Sequence, residues 1–174
     1  MEILTQILFY LFLAFLFALL ISFVVSCFYV PFVPVTKKVA SRMIQTSCIK
    51  KGDVHYDLGS GDGRVMFEAA KQGAQSTGFE LLLPLVILTN LKAKLSRINI
   101  KAVNKNFFNA DVSNANLITM YLIPRLMPRV EKFLENAKLN KGTKIVSYAF
   151  KLPNWEPKEI IREGKMGPIW VYEI

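Results

Sequence analysis

Cysteine, histidine and acidic residues are scarce in this sequence of 174 residues. It contains two cysteines, Cys27 and Cys48, and a single histidine, His55. Two cysteines provide neither a disulfide framework nor a readable pattern of metal ligands, so we predict no metal site. His55 lies inside a predicted strand without an accompanying nucleophile, and we therefore interpret it as a structural residue.

Charge is absent from the first part of the chain, where no charged residue lies between Ile3 and Thr36. All 22 Lys and Arg lie from Lys37 onward, and with 13 Asp and Glu they give a net charge of +9. A bilayer core requires about 20 apolar helical residues, whereas a cleaved signal peptide has a basic start and a shorter apolar core. Glu2 is the only charged residue in front of this long apolar run, so we predict a transmembrane anchor at residues 1–35. The mean hydropathy of +0.32 thus reflects segregated apolar residues and excludes a disordered chain.

Basic residues directly behind the apolar run indicate its orientation; they are Lys37, Lys38, Arg42, Lys50 and Lys51. The positive-inside rule then places the C-terminal domain on the cytoplasmic side, or on the matrix side in an organelle. We interpret residues 36–52 as a basic amphipathic connector, ending at Gly52, that attracts anionic lipid headgroups. Nucleic-acid binding would also suit the charge, but we favour a basic surface at the membrane and expect no nucleic-acid partner.

Four small residues recur at a spacing of four in the predicted anchor: Ala14, Ala18, Ser22 and Ser26. Small residues at this spacing allow a second membrane helix to approach closely. The second helix would be a copy of the anchor, giving self-association, or part of a membrane-embedded substrate. Chance in a span that tolerates alanine and serine is the alternative interpretation.

Residues 53–174 alternate between strand and helix patterns. Strands are predicted at 54–58, 76–80, 98–103, 116–122 and 143–150, and helices at 64–72, 84–96 and 127–137. A hairpin is predicted from 160–162 and 168–173. This alternation predicts an α/β fold with a largely parallel sheet, helices on both faces and a C-terminal antiparallel hairpin.

The chemistry is predicted to lie in the first strand–turn–helix, VHYDLGSGDGRV. Asp57 ends the strand, and Gly59, Ser60, Gly61, Asp62 and Gly63 form a turn in which glycines allow a ligand to approach the backbone closely. Glu80 ends the second strand, at a position suited to ribose hydroxyls. The G-x-G-x-x-G spacing of dinucleotide sites and the G-x-x-x-x-G-K phosphate loop are both absent. Acids beside the turn favour a ligand that carries an ammonium and a sulfonium.

YDLGSGDGR with GFE downstream resembles motif I and the strand-two acid of the Rossmann-like S-adenosylmethionine-dependent methyltransferases. The whole layout, from the apolar segment through KKGDVHYDLGSGDGRVMFEAAKQGA to the terminal IWVYEI, is similar to the small membrane-anchored protein-lysine methyltransferases. Mitochondrial members of that family methylate the ADP/ATP carrier and the ATP synthase c-subunit. The resemblance implies S-adenosylmethionine as cofactor, residues 53–174 as the methyltransferase domain and a lysine of a membrane protein as acceptor.

The resemblance also implies roles for single residues. The loop residues Asp57, Gly59, Ser60, Gly61, Asp62 and Gly63 correspond to the cofactor loop, and Glu80 corresponds to the ribose-binding acid. Asn106 and Phe107 stand where the adenine is bound, although many methyltransferases have an acid in place of Asn106. Tyr121 and Pro124 stand at the end of strand four, where acceptors meet the sulfonium. The Asn/Asp-Pro-Pro-Tyr motif of base-methylating enzymes is missing there.

Aromatic residues near the predicted carboxyl edge are candidate walls of a lysine channel: Tyr121, Tyr148, Phe150 and Trp155. Such walls would surround an amine and lower its pKa, and the alternative role for each is core packing. Two other functions remain open at this point. One is methylation of a small membrane-soluble acceptor, such as a quinone or a lipid, and the other is a non-catalytic cofactor-binding role.

Overall fold

The computed structural model describes the backbone of residues 2–29 and 33–174, and the side chains of residues 3–21 and 33–174. The chain forms two compact units, Met1–Val33 and Pro34–Ile174. In the first, helix α1 spans Glu2–Tyr29, and its Ile3–Ile21 part is long and apolar enough to cross a membrane. Ala14 and Ala18 are exposed on it. Ser22 and Ser26, which complete the predicted small-residue stripe, lie outside the described side chains.

The second unit contains a seven-stranded sheet and four α-helices within residues 34–174. The strands are β1 (Val54–Leu58), β2 (Gln75–Glu80), β3 (Ile100–Asn104), β4 (Leu117–Met120), β5 (Lys144–Tyr148), β6 (Glu159–Ile161) and β7 (Ile169–Glu173). The helices are α2 (Lys37–Ser47), α3 (Arg64–Lys71), α4 (Leu83–Ser96) and α5 (Met127–Asn136). Single 3-10 turns lie at Phe107–Asn109 and Pro124–Leu126.

The sheet order is β3-β2-β1-β4-β5-β7-β6, with β1 to β5 parallel and β7 antiparallel to both of its neighbours. This confirms the predicted α/β fold and its C-terminal hairpin. The strand order reverses between β1 and β4, so the carboxyl ends of these two strands flank a crevice of the kind in which α/β folds bind ligands.

Alternating side chains bury both faces of the sheet. Ile118 of β4 and Ile145 of β5 pack on one face with Val130 and Leu134 of α5. Their neighbours in sequence, Leu117 and Val146, pack on the other face with side chains of α2 and α3. Helix α4 shares that second layer, because its Ala93 packs with Met66 of α3. This burial on both faces is what holds a parallel sheet together.

Helix α2 is part of this layer. Thr36 caps its first turn by accepting a hydrogen bond from the backbone N–H of Val39, and Val39, Met43 and Ile44 are buried. The helix ends at Ser47, five residues before Gly52, because Cys48 adopts the left-handed conformation (φ 53°) and closes it there. The segment that the sequence suggested as a connector is therefore packed into the second unit.

Candidate active site

The glycine-rich loop between β1 and α3 is a tight turn held by its backbone. Gly59, Gly61 and Gly63 have φ angles of 78°, 55° and 79°, a region that side-chain-bearing residues rarely adopt. The N–H groups of Gly59 and Ser60 both donate to the carbonyl of Phe79 at 3.0 Å, which ties the loop to the end of β2. A Cβ at Gly59 would lie 2.8 Å from Cδ2 of Leu122. The chain leaving β4 thus packs directly on the loop.

A buried polar chain runs beneath the loop and ends on Asp57. The Thr119 hydroxyl donates to Oδ1 of Asp57 at 2.7 Å, and its oxygen lies 2.8 Å from Nε2 of His55. The Ser76 hydroxyl lies 2.8 Å from Nδ1 of His55. Because Thr119 has one proton and gives it to Asp57, His55 must donate from Nε2 and accept from Ser76 at Nδ1. All bonds in the chain therefore point towards the carboxylate.

Burial shifts the pKa values of both ionisable groups in this chain towards the neutral form. The pKa of His55 is lowered to about 3, so the ring is neutral at physiological pH. The pKa of Asp57 is raised to about 7: burial raises it most, the hydrogen bond from Thr119 lowers it, and the nearby Glu80 and Asp62 carboxylates add to the rise. A cationic ligand group beside Asp57 would favour its ionised form, as the predicted ammonium of the cofactor requires. His55 is thus buried and hydrogen-bonded to Ser76 and Thr119, and its purely structural role stays a prediction.

Glu80 is fixed by backbone donors at the end of β2. Its Oε2 accepts from the N–H of Gly61 at 2.9 Å, and its Oε1 accepts from Leu81 at 2.8 Å and Leu82 at 2.9 Å. Asn104 at the end of β3 donates to the backbone carbonyls of Glu80 and Leu81. The carboxylate is thus held beside the loop, with oxygen lone pairs remaining for hydroxyl donors of a ligand.

Asp62 is engaged by a residue that the sequence analysis did not single out. Arg64 contacts both carboxylate oxygens of Asp62, at 2.8 and 2.6 Å, and it also donates to the carbonyl of Val35. The Arg64 guanidinium holds the pKa of Asp62 below its usual range. Asp62 therefore belongs to the loop but is already neutralised within it. An arginine two residues after a loop acid, at the first position of a helix, is the signal that could have indicated this pair.

The Ser60 hydroxyl is a free polar group at the base of the loop. Ser60 is 6 % exposed, and within the described part of the chain its Oγ has no hydrogen-bond partner. Leaving a buried hydroxyl unpaired is costly, so a ligand that bonds to it is favoured. An unpaired hydroxyl, two carboxylates and a glycine loop together fit the polar groups of S-adenosylmethionine: its ammonium, carboxylate and ribose hydroxyls.

The predicted adenine residues lie directly after β3. Oδ1 of Asn106 accepts from the N–H of Phe108 at 3.1 Å and caps the 3-10 turn, so its amide NH₂ group retains hydrogen-bonding capacity for a ligand. Phe107 is 8 % exposed and its ring centroid lies 4.3 Å from that of Phe108. Most of the Phe107 ring is therefore in the core, and its contact with adenine stays a prediction.

The structure brings three of the four predicted aromatic residues together at the ends of β4 and β5. The ring centroid of Tyr121 lies 5.0 Å from Tyr148 and 6.5 Å from Phe150, and all three rings are half-buried. Trp155 instead contacts Tyr172, at 6.1 Å, and its indole N–H lies 3.5 Å from Glu135 near the end of α5. Pro124 begins the 3-10 turn that leads into α5. Catalytic roles for Tyr121, Pro124 and Trp155 stay predictions.

Replacing Glu80 by glutamine is expected to weaken cofactor binding at least about 100-fold, because one carboxylate oxygen becomes an NH₂ group facing backbone N–H donors. Calorimetric titration of S-adenosylmethionine into the detergent-solubilised full chain measures this. Glu68→Gln is the matched control, since Glu68 pairs with Lys71 on the outer side of α3. Unchanged affinity in Glu80→Gln would contradict the assignment of Glu80.

Known proteins are similar to this chain in both sequence and fold. Residues 57–159 match the family described as the ANTKMT methyltransferase domain. A Saccharolobus islandicus protein named "Protein-lysine N-methyltransferase" is 33% identical over 153 residues, which cover 84% of this chain and 94% of that protein. A mouse protein, named as the lysine N-methyltransferase of the ATP synthase c-subunit, is 29% identical over 146 residues, covering 83% of this chain but only 58% of the mouse protein.

One structural relative is a Salinibacter ruber RNA methyltransferase crystallised with S-adenosyl-L-homocysteine. It is 32% identical, superposes with a TM-score of 0.78, and the match covers 82% of this chain and 94% of that one. The ligand there is the demethylated product of S-adenosylmethionine. The matches confirm the predicted enzyme class, a methyltransferase, and the predicted cofactor. The chain belongs to the family of the ANTKMT methyltransferase domain.

Proposed function

We propose that this chain is a membrane-anchored S-adenosylmethionine-dependent protein-lysine methyltransferase whose acceptor is a lysine of a membrane protein. The observation that carries the proposal is the cluster of half-buried aromatic rings formed by Tyr121, Tyr148 and Phe150. It lies where β4 ends, and the next residue, Leu122, packs against Gly59 of the cofactor loop. The names of the archaeal and mouse relatives support lysine as the acceptor.

A cluster of aromatic rings suits the chemistry of amine methylation. When bound, S-adenosylmethionine supplies a methyl group on a positively charged sulfur. A lysine amine has a pKa of about 10.4 in water, so at neutral pH roughly one molecule in 10³–10⁴ has the lone pair that must form the new N–C bond. Aromatic walls remove water from the amine and lower its pKa, which raises the neutral fraction without a strong base. The proton of the amine is then released to solvent.

Helix α1 and the charge distribution support membrane anchoring. The apolar Ile3–Ile21 stretch has the length that a bilayer requires, and the basic residues begin at Lys37. In this proposal residues 1–35 form the anchor, residues 36–52 provide a basic surface at the lipid headgroups, and residues 53–174 carry the reaction. The positive-inside rule places that reaction on the cytoplasmic or matrix side.

RNA is a second candidate acceptor, favoured by the net charge of +9 and by the Salinibacter ruber relative, which is named as an RNA methyltransferase. Phosphate contacts from lysine and arginine would make RNA binding strongly dependent on salt. The lipid or quinone acceptor considered above would use the same aromatic cluster to hold a flat ring.

One labelling experiment separates these acceptors. The full chain, reconstituted in lipid nanodiscs, is incubated with radiolabelled S-adenosylmethionine and host membranes and RNA. We expect label in protein, released as methyllysine on acid hydrolysis, and none in the Glu80→Gln control. Label that disappears on RNase treatment, or that extracts into organic solvent, would replace lysine by RNA or by a lipid-like acceptor. No label in any fraction would favour the non-catalytic role.

Ala18→Leu is expected to weaken methylation of a membrane-embedded substrate about tenfold and to leave a soluble lysine peptide unaffected, because a larger side chain keeps a second helix away from α1. Rates with both substrates measure this. Leu16→Phe adds similar bulk on the opposite side of α1 and is the control. An equal loss with both substrates would argue against a role for the small-residue stripe.

A further inference from the structure

Helix α4 exposes an unusual number of large apolar side chains. Outside α1, nine large hydrophobic residues are exposed among the described side chains, and six of them lie between residues 81 and 95. They are Leu81, Leu83, Ile87, Leu88, Leu91 and Leu95. A helix with apolar residues on all sides is ordinarily buried, so this exposure indicates a missing contact.

The exposed residues form one continuous face. Leu83, Ile87, Leu91 and Leu95 follow each other at a spacing of four, and they are 53, 57, 52 and 77% exposed. Val86, Thr89 and Ala93 lie on the other side of the helix and are buried against the second unit. We call the exposed side the α4 face, defined by Leu83, Ile87, Leu88, Leu91 and Leu95. A spacing of four places its members along one side of the helix.

Positive charge borders the α4 face. Lys92 and Lys94 are exposed on the last turns of α4, one on either flank of the leucine row by helical geometry, and Arg97 follows the helix end. Within α4 itself, Leu83–Ser96, there is no acidic residue. An apolar strip flanked by lysines is the composition of helices that lie in the headgroup region of anionic membranes.

We propose that the α4 face lies in the interfacial region of an anionic lipid bilayer. This inference rests on the proposed function, because the anchor helix would hold the domain at the membrane. In the sequence, only residues 30–36 lie between the end of α1 and the start of α2. Helix α2, where the chain enters the second unit, belongs to the same helical layer as α4.

Membrane contact through α4 would reach the cofactor site directly. Helix α4 starts three residues after Glu80, whose carboxylate accepts from the N–H groups of Leu81 and Leu82. On the buried side of α4, the Thr89 hydroxyl oxygen lies 3.4 Å from the carbonyl oxygen of Gly61 in the loop. The α4 face would therefore hold the reaction site at a set height above the lipid and select lysines close to the membrane surface.

Environment-sensitive fluorescence on the full chain tests this contact. In a Cys27→Ala, Cys48→Ser background, single cysteines replace Leu91, Phe12 of α1 or the exposed Lys141, and each is labelled with a nitrobenzoxadiazole dye. The chains are reconstituted into vesicles of phosphatidylcholine and phosphatidylglycerol, with spin-labelled lipids or aqueous cobalt ions as quenchers. Position 12 reports anchor insertion, and position 141 reports solvent.

We expect spin-labelled lipid to quench the dye at position 91 at least about twofold, with little effect at position 141. If cobalt quenches the dye at position 91 as strongly as it quenches the dye at position 141, the inference is overturned, whatever the dye at position 12 shows. Protection from both quenchers would also overturn it, since a second protein chain would then cover the face. Loss of lipid quenching at position 12 alone would instead argue against the anchor.

A paired functional variant gives a second readout. Ile87→Ser with Leu91→Ser replaces two exposed side chains on the side of α4 opposite the buried Thr89, and folding is checked by S-adenosylmethionine binding. We expect methylation of a membrane-embedded substrate to fall about tenfold while a soluble lysine peptide is methylated at the wild-type rate. Lys138→Ser with Lys141→Ser, beyond α5, is the control. Equal activity of the variant and the wild type on the membrane substrate would contradict the proposal.

Discussion

Replacing Asp57 by asparagine is expected to abolish cofactor binding while making the protein more stable above pH 7. Burial raises the pKa of Asp57 to about 7, so folding favours the protonated acid. The cost of keeping the ionised form buried therefore grows from about pH 4 to about pH 7 and is constant above that. Each pKa unit corresponds to about 1.4 kcal/mol, and we expect a gain of about 2–4 kcal/mol in the free energy of unfolding at pH 8.

The loss of function has the same origin as the gain in stability. The introduced asparagine side chain would still accept the hydrogen bond that Thr119 donates at 2.7 Å to Asp57, so the polar chain beneath the loop stays intact. A neutral amide could not neutralise a bound ammonium, and we expect affinity for S-adenosylmethionine to fall at least about 100-fold. Calorimetric titration and denaturant unfolding of the same sample measure both effects. If the variant were less stable than the wild type at pH 8, this would contradict the prediction that the buried Asp57 carboxylate destabilises the folded protein.

The pH dependence of stability provides an internal check. The pKa of His55 is lowered to about 3 by burial, so unfolding takes up a proton and stability rises with pH between about 3 and 6.5. Asp57 acts in the opposite direction over nearly the same interval, and the two slopes largely cancel in the wild type. In Asp57→Asn the falling contribution of Asp57 is removed, and the rise due to His55 is exposed between about pH 4.5 and 6.5, above the range in which the acids with lowered pKa values, such as Asp62, contribute. A flat profile in that variant would show that His55 is not held neutral.

Replacing Gly78 by alanine is expected to destabilise the protein by about 3 kcal/mol and to weaken cofactor binding about 100-fold, because the loop that binds the cofactor is displaced. Gly78 lies in β2 beside Asp57 of β1. A Cβ at this position would lie 2.5 Å from Cβ of Ser60 and 2.6 Å from its hydroxyl, and would overlap the sulfur of Met66. Ser60 must then move, and it carries the unpaired hydroxyl of the cofactor loop.

Gly142→Ala is the matched control for this substitution. Gly142 has a positive φ, 88°, but an added Cβ would have no atom within 4 Å. We expect it to cost about 1 kcal/mol from backbone strain alone and to leave the cofactor affinity unchanged. Thermal unfolding and cofactor titration compare the two variants. Equal affinities in both would show that Gly78 does not support the loop.

Local patterns in the sequence were sufficient to predict the fold. Apolar strand patterns separated by helical spacing predicted all seven strands, because a parallel sheet buried on both faces requires such runs. The strand ends were predicted less accurately. β4 ends at Met120 and not at residue 122, because Leu122 packs against Gly59 of the loop and Pro124 begins the 3-10 turn that follows. The family match confirms the methyltransferase that the loop pattern predicted.

The electrostatic state of the site was decided by tertiary structure alone. Thr119 lies 62 positions after Asp57, and nothing in the sequence around either residue predicts that a chain of hydrogen bonds joins them to His55. Spacing in the sequence also could not decide which aromatic residues meet at the end of β4, as Tyr121 does, and which pack elsewhere, as Trp155 does.

The sequence by itself determined the segregated apolar run, the alternating α/β pattern, the glycine loop and its two acids, since each is a property of neighbouring residues. Only the packed structure decided which polar groups are buried and which apolar groups are not. Burial depends on residues brought together from distant parts of the chain, and it sets the pKa of Asp57 and the exposure of the α4 face.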